Sequence, residues 1–151
     1  MAKELYTKSE LFRLAREFVE KVLAQKKAKG VQGEWFILSA KHHLLDPKKE
    51  IEPYDQSLYD MTPTQRQKWA EKVLMQVLEY CNLHDFKPAQ TNITILAGYA
   101  YSEYLITGLK QEGFHAAAPW LEEKPSEVQG QWKIMNWRKN WLRQKLANSS
   151  R

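Results

Sequence analysis

The amino-acid sequence predicts an α/β fold: one three-layer domain with a small, mainly parallel sheet flanked by helices, and a basic C-terminal helix. Three observations carry this. Apolar residues recur at three- and four-residue steps in several long stretches. Short β-rich runs alternate with them, at Trp35 to Ser39, Asn92 to Ala97 and Phe114 to Ala118. The resulting order of helix, strand, helix, strand, helix, strand supplies the crossover helices that parallel pairing needs. With 151 residues, 43% apolar and 27% charged, the chain has the composition of a folded domain, and residues 1–151 read as one.

Ser9 to Gln25 reads as the first helix, with Leu11, Leu14, Ala15, Phe18, Val22 and Leu23 on its apolar face. Thr7 or Ser9 caps it, and Glu10 suits the positive end of its dipole. Lys26, Lys27, Lys29 and Gly30 close it. The strand from Trp35 stops at Ser39 and releases a polar stretch, Ala40-Lys41-His42-His43, followed by Leu44-Leu45 and a turn at Asp46-Pro47. Ile51-Glu52-Pro53-Tyr54-Asp55 comes next. Asp60, Thr62 or Thr64 caps the second helix, with Pro63 near its first position. Trp69, Val73, Leu74, Val77 and Leu78 make its buried face as far as Tyr80. The lone cysteine, Cys81, extends that run and reads as a packed thiol. Asn92 to Ala97 is a second buried strand; it stops at Gly98, and a helix with Tyr101, Tyr104, Leu105 and Leu109 runs to Gly113. The composition then shifts. From Gln131 to Arg151 there are six basic residues, no acidic one, and three tryptophans, Trp132, Trp137 and Trp141. This reads as a basic amphipathic helix.

Open α/β sheets place ligands beyond the carboxyl ends of their strands. Two such ends are expected to lie side by side here and share one pocket. The first offers Ser39, Lys41, His42, Tyr54 and Asp55 as ligand-binding residues and Glu52 as a catalytic acid or base, its backbone held extended by Pro53. A structural pairing of Glu52 with Lys41 is the competing reading. The second end offers Gly98, where backbone can approach an anion at a helix N-terminus, and Tyr101. No metal site is expected, because adjacent His42 and His43 point apart in an extended loop and no further Cys or His completes a set. No nucleotide-binding glycine motif and no nucleophile elbow occurs, and no cofactor is expected. The tail offers Lys133, Arg138, Lys139, Arg143 and Lys145 to phosphates, with tryptophans to stack on bases. Its competing reading is a helix that docks its tryptophans on the core.

Ser39-Ala40-Lys41, Leu44-Leu45-Asp46-Pro47 and Ile51-Glu52-Pro53-Tyr54-Asp55 together resemble the signature of the YaaA-like superfamily, small bacterial and phage domains distantly similar to the YaaA peroxide-stress proteins. Leu5-Tyr6-Thr7 with Ser9 and Leu11-Phe12, then Trp69 with Val73, then Ile95-Leu96-Ala97-Gly98 with Tyr101 and Leu105, fit the same pattern. The similarity runs from Ala2 to Pro119. It departs in two places: the strand and Cys- and Lys-bearing loop that precede the family's first helix are missing before Leu5, and His42-His43 stand where the family tends to have an aromatic and a glycine. The resemblance implies a role linked to DNA binding or oxidative stress.

The leading expectation is therefore a binding protein for nucleic acid or a nucleotide-like anionic ligand. An enzyme acting on the N-glycosidic bond of a nucleobase or nucleoside is the alternative from another class. A truncated, non-catalytic interaction protein is the third. A net charge of +5 and a pI near 9.2 favour anionic partners. No apolar run approaches the roughly 20 residues of a membrane span, and Met1 to Leu5 is charged rather than leader-like. With one cysteine, the expected location is the cytoplasm.

Overall fold

The computed structural model describes residues 9–49 and 57–149. The chain divides into two compact units. Met1–Phe36, Asp46–Glu52 and Lys124–Arg151 form the first; Ile37–Leu45 and Pro53–Glu123 form the second.

In the first unit, helix α1 (Glu10–Ala28) starts at Ser9, whose hydroxyl accepts the Phe12 N–H at 3.2 Å. That satisfies one of the donors a helix start leaves over. Its exit is equally specified. Gly30 sits at φ +78°, its N–H donates to the Lys27 carbonyl, and the Val31 N–H donates to that of Lys26 at 2.9 Å. Two reversed bonds around a left-handed residue make a Schellman motif. A C-terminal helix, Gln131–Ser149, packs along α1. Its Leu142 is 0% exposed, and Trp141 stands edge-on to Phe18 at 5.7 Å between ring centroids. Trp35 lies against Phe12 at 6.4 Å. The strand expected from Trp35 therefore begins two residues later, at Ile37, because Trp35 serves the helical contact instead.

In the second unit, β1 (Ile37–Ser39) turns back into β2 (His43–Leu45), an antiparallel hairpin with Ser39 opposite His43. Three residues, Ala40-Lys41-His42, join the two, and His43 adopts φ +61°, the left-handed position that closes loops of this length. Helix α2 (Pro63–Leu83) follows a short 3₁₀ turn at Leu58–Asp60. Thr62 and Gln65 form a capping box: each side chain accepts the other's backbone N–H, at 3.2 and 2.9 Å. A second 3₁₀ turn leads into β3 (Asn92–Thr94). Helix α3 (Tyr99–Gln111) crosses over to β4 (His115–Ala117), which pairs parallel with β3, Ile93 opposite Ala116. Helix α4 (Pro119–Glu122) ends this unit and leaves α5 for the C-terminal helix of the first. The core joins Trp69, Val73 and Cys81 of α2 to Leu105, Ile106 and Leu109 of α3, with Ile95 and Phe114.

The α/β character expected from the sequence is present, with helix the larger part. The expected single, mainly parallel sheet is not what the described residues form. They hold two separate two-stranded sheets, one antiparallel and one parallel, so the strands at Ile37 and Asn92 are not neighbours. The reason lies in Leu44-Leu45, read from the sequence as part of a loop. Leu45 is buried opposite Ile37, and folding back covers that strand with its own hairpin partner. Among the described residues, no helix is long and apolar enough to cross a membrane.

Candidate ligand site

The site is built around Trp69 of α2, in the second unit. Its indole N–H donates to the Ser39 carbonyl at 2.9 Å. Its ring meets Tyr101 edge-on at 5.5 Å and 88°. One buried side chain thus ties the end of β1 to the start of α3. Ser39 itself is 0% exposed, and its hydroxyl accepts the His42 N–H at 2.9 Å, clasping the hairpin loop. Burial makes Ser39 a support of the turn, not a group offered to a ligand. Lys41 is exposed on the loop, and His42 and His43 are half-buried. Burial, then the neighbouring charges of Lys72 and His42, pushes the His43 imidazole below its ordinary value.

At the other side of Trp69, Gly98 is the N-cap of α3 and its carbonyl accepts the N–H groups of Tyr101 and Ser102. No side chain caps this end; the buried Ser102 hydroxyl instead donates to the Ala97 carbonyl at 3.1 Å. Tyr101 packs at 6.2 Å against Tyr59 of the 3₁₀ turn. Tyr59 and Tyr99 are 54% and 55% exposed. Between them runs a polar pair. Arg66 donates from Nε to the Leu58 carbonyl at 2.8 Å, lies under the Tyr59 ring, and approaches Glu103 to 4.0 Å with both side chains largely covered. The Tyr99 hydroxyl bonds to Glu103, which holds that phenol above its usual value. Two exposed aromatic faces therefore flank a largely covered guanidinium–carboxylate pair at an uncapped helix N-terminus.

Of the expected ligand residues, Ser39 and Tyr101 are brought together across Trp69, with Gly98 adjacent to Tyr101 and Lys41 and His42 on the same hairpin as Ser39. Glu52, Tyr54 and Asp55 lie outside the described residues. The tail residues belong to the first unit, on α5. There Lys139 and Arg143 both pair with Glu10 of α1, Lys139 at 3.3 Å, and these hold the Glu10 carboxyl below its ordinary value. Lys145 lies over the Trp141 ring at 5.3 Å, Arg138 is half-buried, and Lys133 is exposed. The expected basic face is thus divided: Lys139 and Arg143 serve the packing of α5 on α1. Sequence reasoning missed Tyr59, Tyr99, Arg66 and Glu103. One signal was available, because Arg66 stands three and seven residues before Trp69 and Val73, on the stripe that faces inward. A shallow groove along β3 and β4, lined by Asn92, Thr94, Lys110 and His115 among others, contains none of the expected ligand residues. Among the described residues, no three His, Cys, Asp or Glu side chains gather as a metal set.

Over residues 1–133 the chain matches the model of a family of unknown function, DUF6884, and it belongs to that family. No curated protein and no solved structure matches it.

Proposed function

We propose that the protein binds nucleic acid or a nucleotide at the start of α3, with Tyr59 and Tyr99 stacking on bases and the uncapped Gly98 end, with Arg66, facing the anion. The observation that carries this is the pair of exposed tyrosines beside the Arg66–Glu103 pair. Every base offers a π-face to such rings, and cations and helix N-termini favour phosphate. The similarity of Ser39-Ala40-Lys41, Ile95 to Gly98 and Tyr101 to the YaaA-like pattern supports the same place. Binding of mononucleotides and of a short single-stranded oligonucleotide, followed by calorimetry, tests it. Stacking is worth roughly 1 to 3 kcal/mol per base, so Tyr59→Ala and Tyr99→Ala should each weaken binding about 5- to 150-fold. Binding unchanged in both variants, or absent in the wild type, ends this reading.

One observation favours a second reading, an enzyme acting on a nucleobase or nucleoside with Glu103 as acid or base. Glu103 is a largely covered carboxylate beside the exposed rings, where a base would lie. Release of free base from nucleosides or DNA, lost in Glu103→Gln, would support it; a wild type that releases none removes it.

A further inference from the structure

Several long cations on the described helices have a carboxylate partner. Arg13, Arg16, Arg66, Lys110, Lys139 and Arg143 each form an ion pair. Lys68 and Lys72 on α2 are both exposed and, like Lys26, Lys27, Lys133 and Lys145, have no ion-pair partner among the described residues. The fold nevertheless fixes where Lys72 stands. Trp69 donates to the Ser39 carbonyl, and the Gln76 side-chain oxygen accepts the Leu44 N–H, both at 2.9 Å. Residues 69, 72 and 76 share one face of a helix. Lys72 is therefore held beside the hairpin, between two anchors, next to the left-handed His43. Lys68 lies one turn earlier on the same flank. The two lysines, one turn apart, raise each other's energy, and an anion seated between them reverses that cost.

We infer that Lys68 and Lys72, beside His43, form a seat for the backbone phosphates of a single nucleic-acid strand, on the flank of α2 beside the hairpin. This rests on the nucleic-acid reading of the site at α3. At 1.5 Å per residue Lys72 stands about 9 Å further along α2 than Arg66, more than the roughly 3.4 Å one nucleotide occupies along a strand, and Lys68, about 3 Å further along, lies roughly 160° round the helix from Arg66. A strand of several nucleotides can engage both places; a mononucleotide stacked at Tyr59 and Tyr99 does not reach the seat.

The test compares wild type, Lys68→Gln with Lys72→Gln, the same pair changed to Arg, and Tyr99→Ala. The probes are a short single-stranded DNA oligonucleotide and a mononucleotide, each at several salt concentrations. Thermal melts show whether the glutamine pair folds like the wild type, as exposed positions should. In the glutamine pair, oligonucleotide affinity should fall. The slope of log K against log salt should shrink by roughly 0.7 for each phosphate no longer neutralised, roughly 1.4 for two. The arginine pair should restore both, and mononucleotide affinity should not change. An unchanged oligonucleotide slope in the glutamine pair, with Tyr99→Ala weakened, overturns the seat alone. A wild type that binds neither probe overturns both readings.

Discussion

Trp69 combines two roles in one side chain. Its N–H satisfies a backbone carbonyl at the end of a strand, and its ring supports Tyr101. Trp69→Phe keeps an aromatic ring and removes the donor. Losing that buried bond should cost about 1 to 3 kcal/mol, read as a lower midpoint in denaturant. His43 gives a pH-dependent counterpart. Its folded-state pKa is lowered, by burial first and then by Lys72 and His42. The folded state therefore favours the neutral ring. That contribution is complete above the ordinary value of 6.5 and is lost as pH falls through the folded value. In His43→Asn, which tolerates the left-handed backbone, the drop in stability on going from above to below that window should be smaller than in wild type. Equal drops would show that His43 does not carry it.

At the scale of elements, three helices end in the same motif. Gly30 closes α1 and Gly113 closes α3, at φ +78° and +94°. Asp85 does so for α2 at φ +59°, with the Phe86 N–H on the Cys81 carbonyl at 2.8 Å and the Phe86 ring stacked on Tyr80. A left-handed residue with a Cβ costs about 1 to 2 kcal/mol, less for Asp and Asn. Gly113→Ala should accordingly lower stability by about 1 kcal/mol, whereas Asp85→Gly should raise it by about 0.5 kcal/mol or leave it unchanged. Denaturant unfolding of both variants checks the opposite signs. Helix α5 carries a different lesson. Reversing Lys139 and Arg143 to Glu would set two acids against Glu10. Such a variant would report on helix packing as much as on nucleic acid. Glu10 has a lowered folded-state pKa, so its contribution is present above 4.5 and fades as pH falls through the folded value. Glu10→Gln should therefore differ from wild type at neutral pH and converge with it in acid, which a series of melts would show.

At the scale of the whole molecule, the two units have separate cores. Leu142 belongs to the first, where it is fully buried with Trp141 on Phe18. Leu142→Ala should cost about 2 to 5 kcal/mol. Native-state hydrogen exchange should show the fall in protection centred on α1 and α5. Protection falling first in α2 and α3 would mean that the units do not respond separately. In sequence, residues 1–151 read as one domain. The division is hard to see there because the first unit is discontinuous, its last segment entering far along the chain.

Local physics makes much of this legible without coordinates. The cap at Ser9, the proline start of α2 after Thr62, the glycine stops at Gly30 and Gly113 and the packed Cys81 all follow from residues within a few positions of each other. Burial periodicity and cap chemistry are short-range, so sequence alone determines them. What it could not decide was which strand lies beside which, since each run is only three residues and carries too little pattern to choose its partner. Tertiary packing decided that, through the hairpin at Leu44-Leu45 and the Trp69 and Gln76 anchors, which lie 30 and 32 residues from their partners. The same long-range contacts chose the site residues. Tyr59, Arg66, Tyr99 and Glu103 are ordinary surface-type residues in the sequence and become a constellation only where α2, α3 and the turn before α2 meet. The division of α5's cations likewise follows from Glu10, more than a hundred residues away in the chain, a contact that no helical period records.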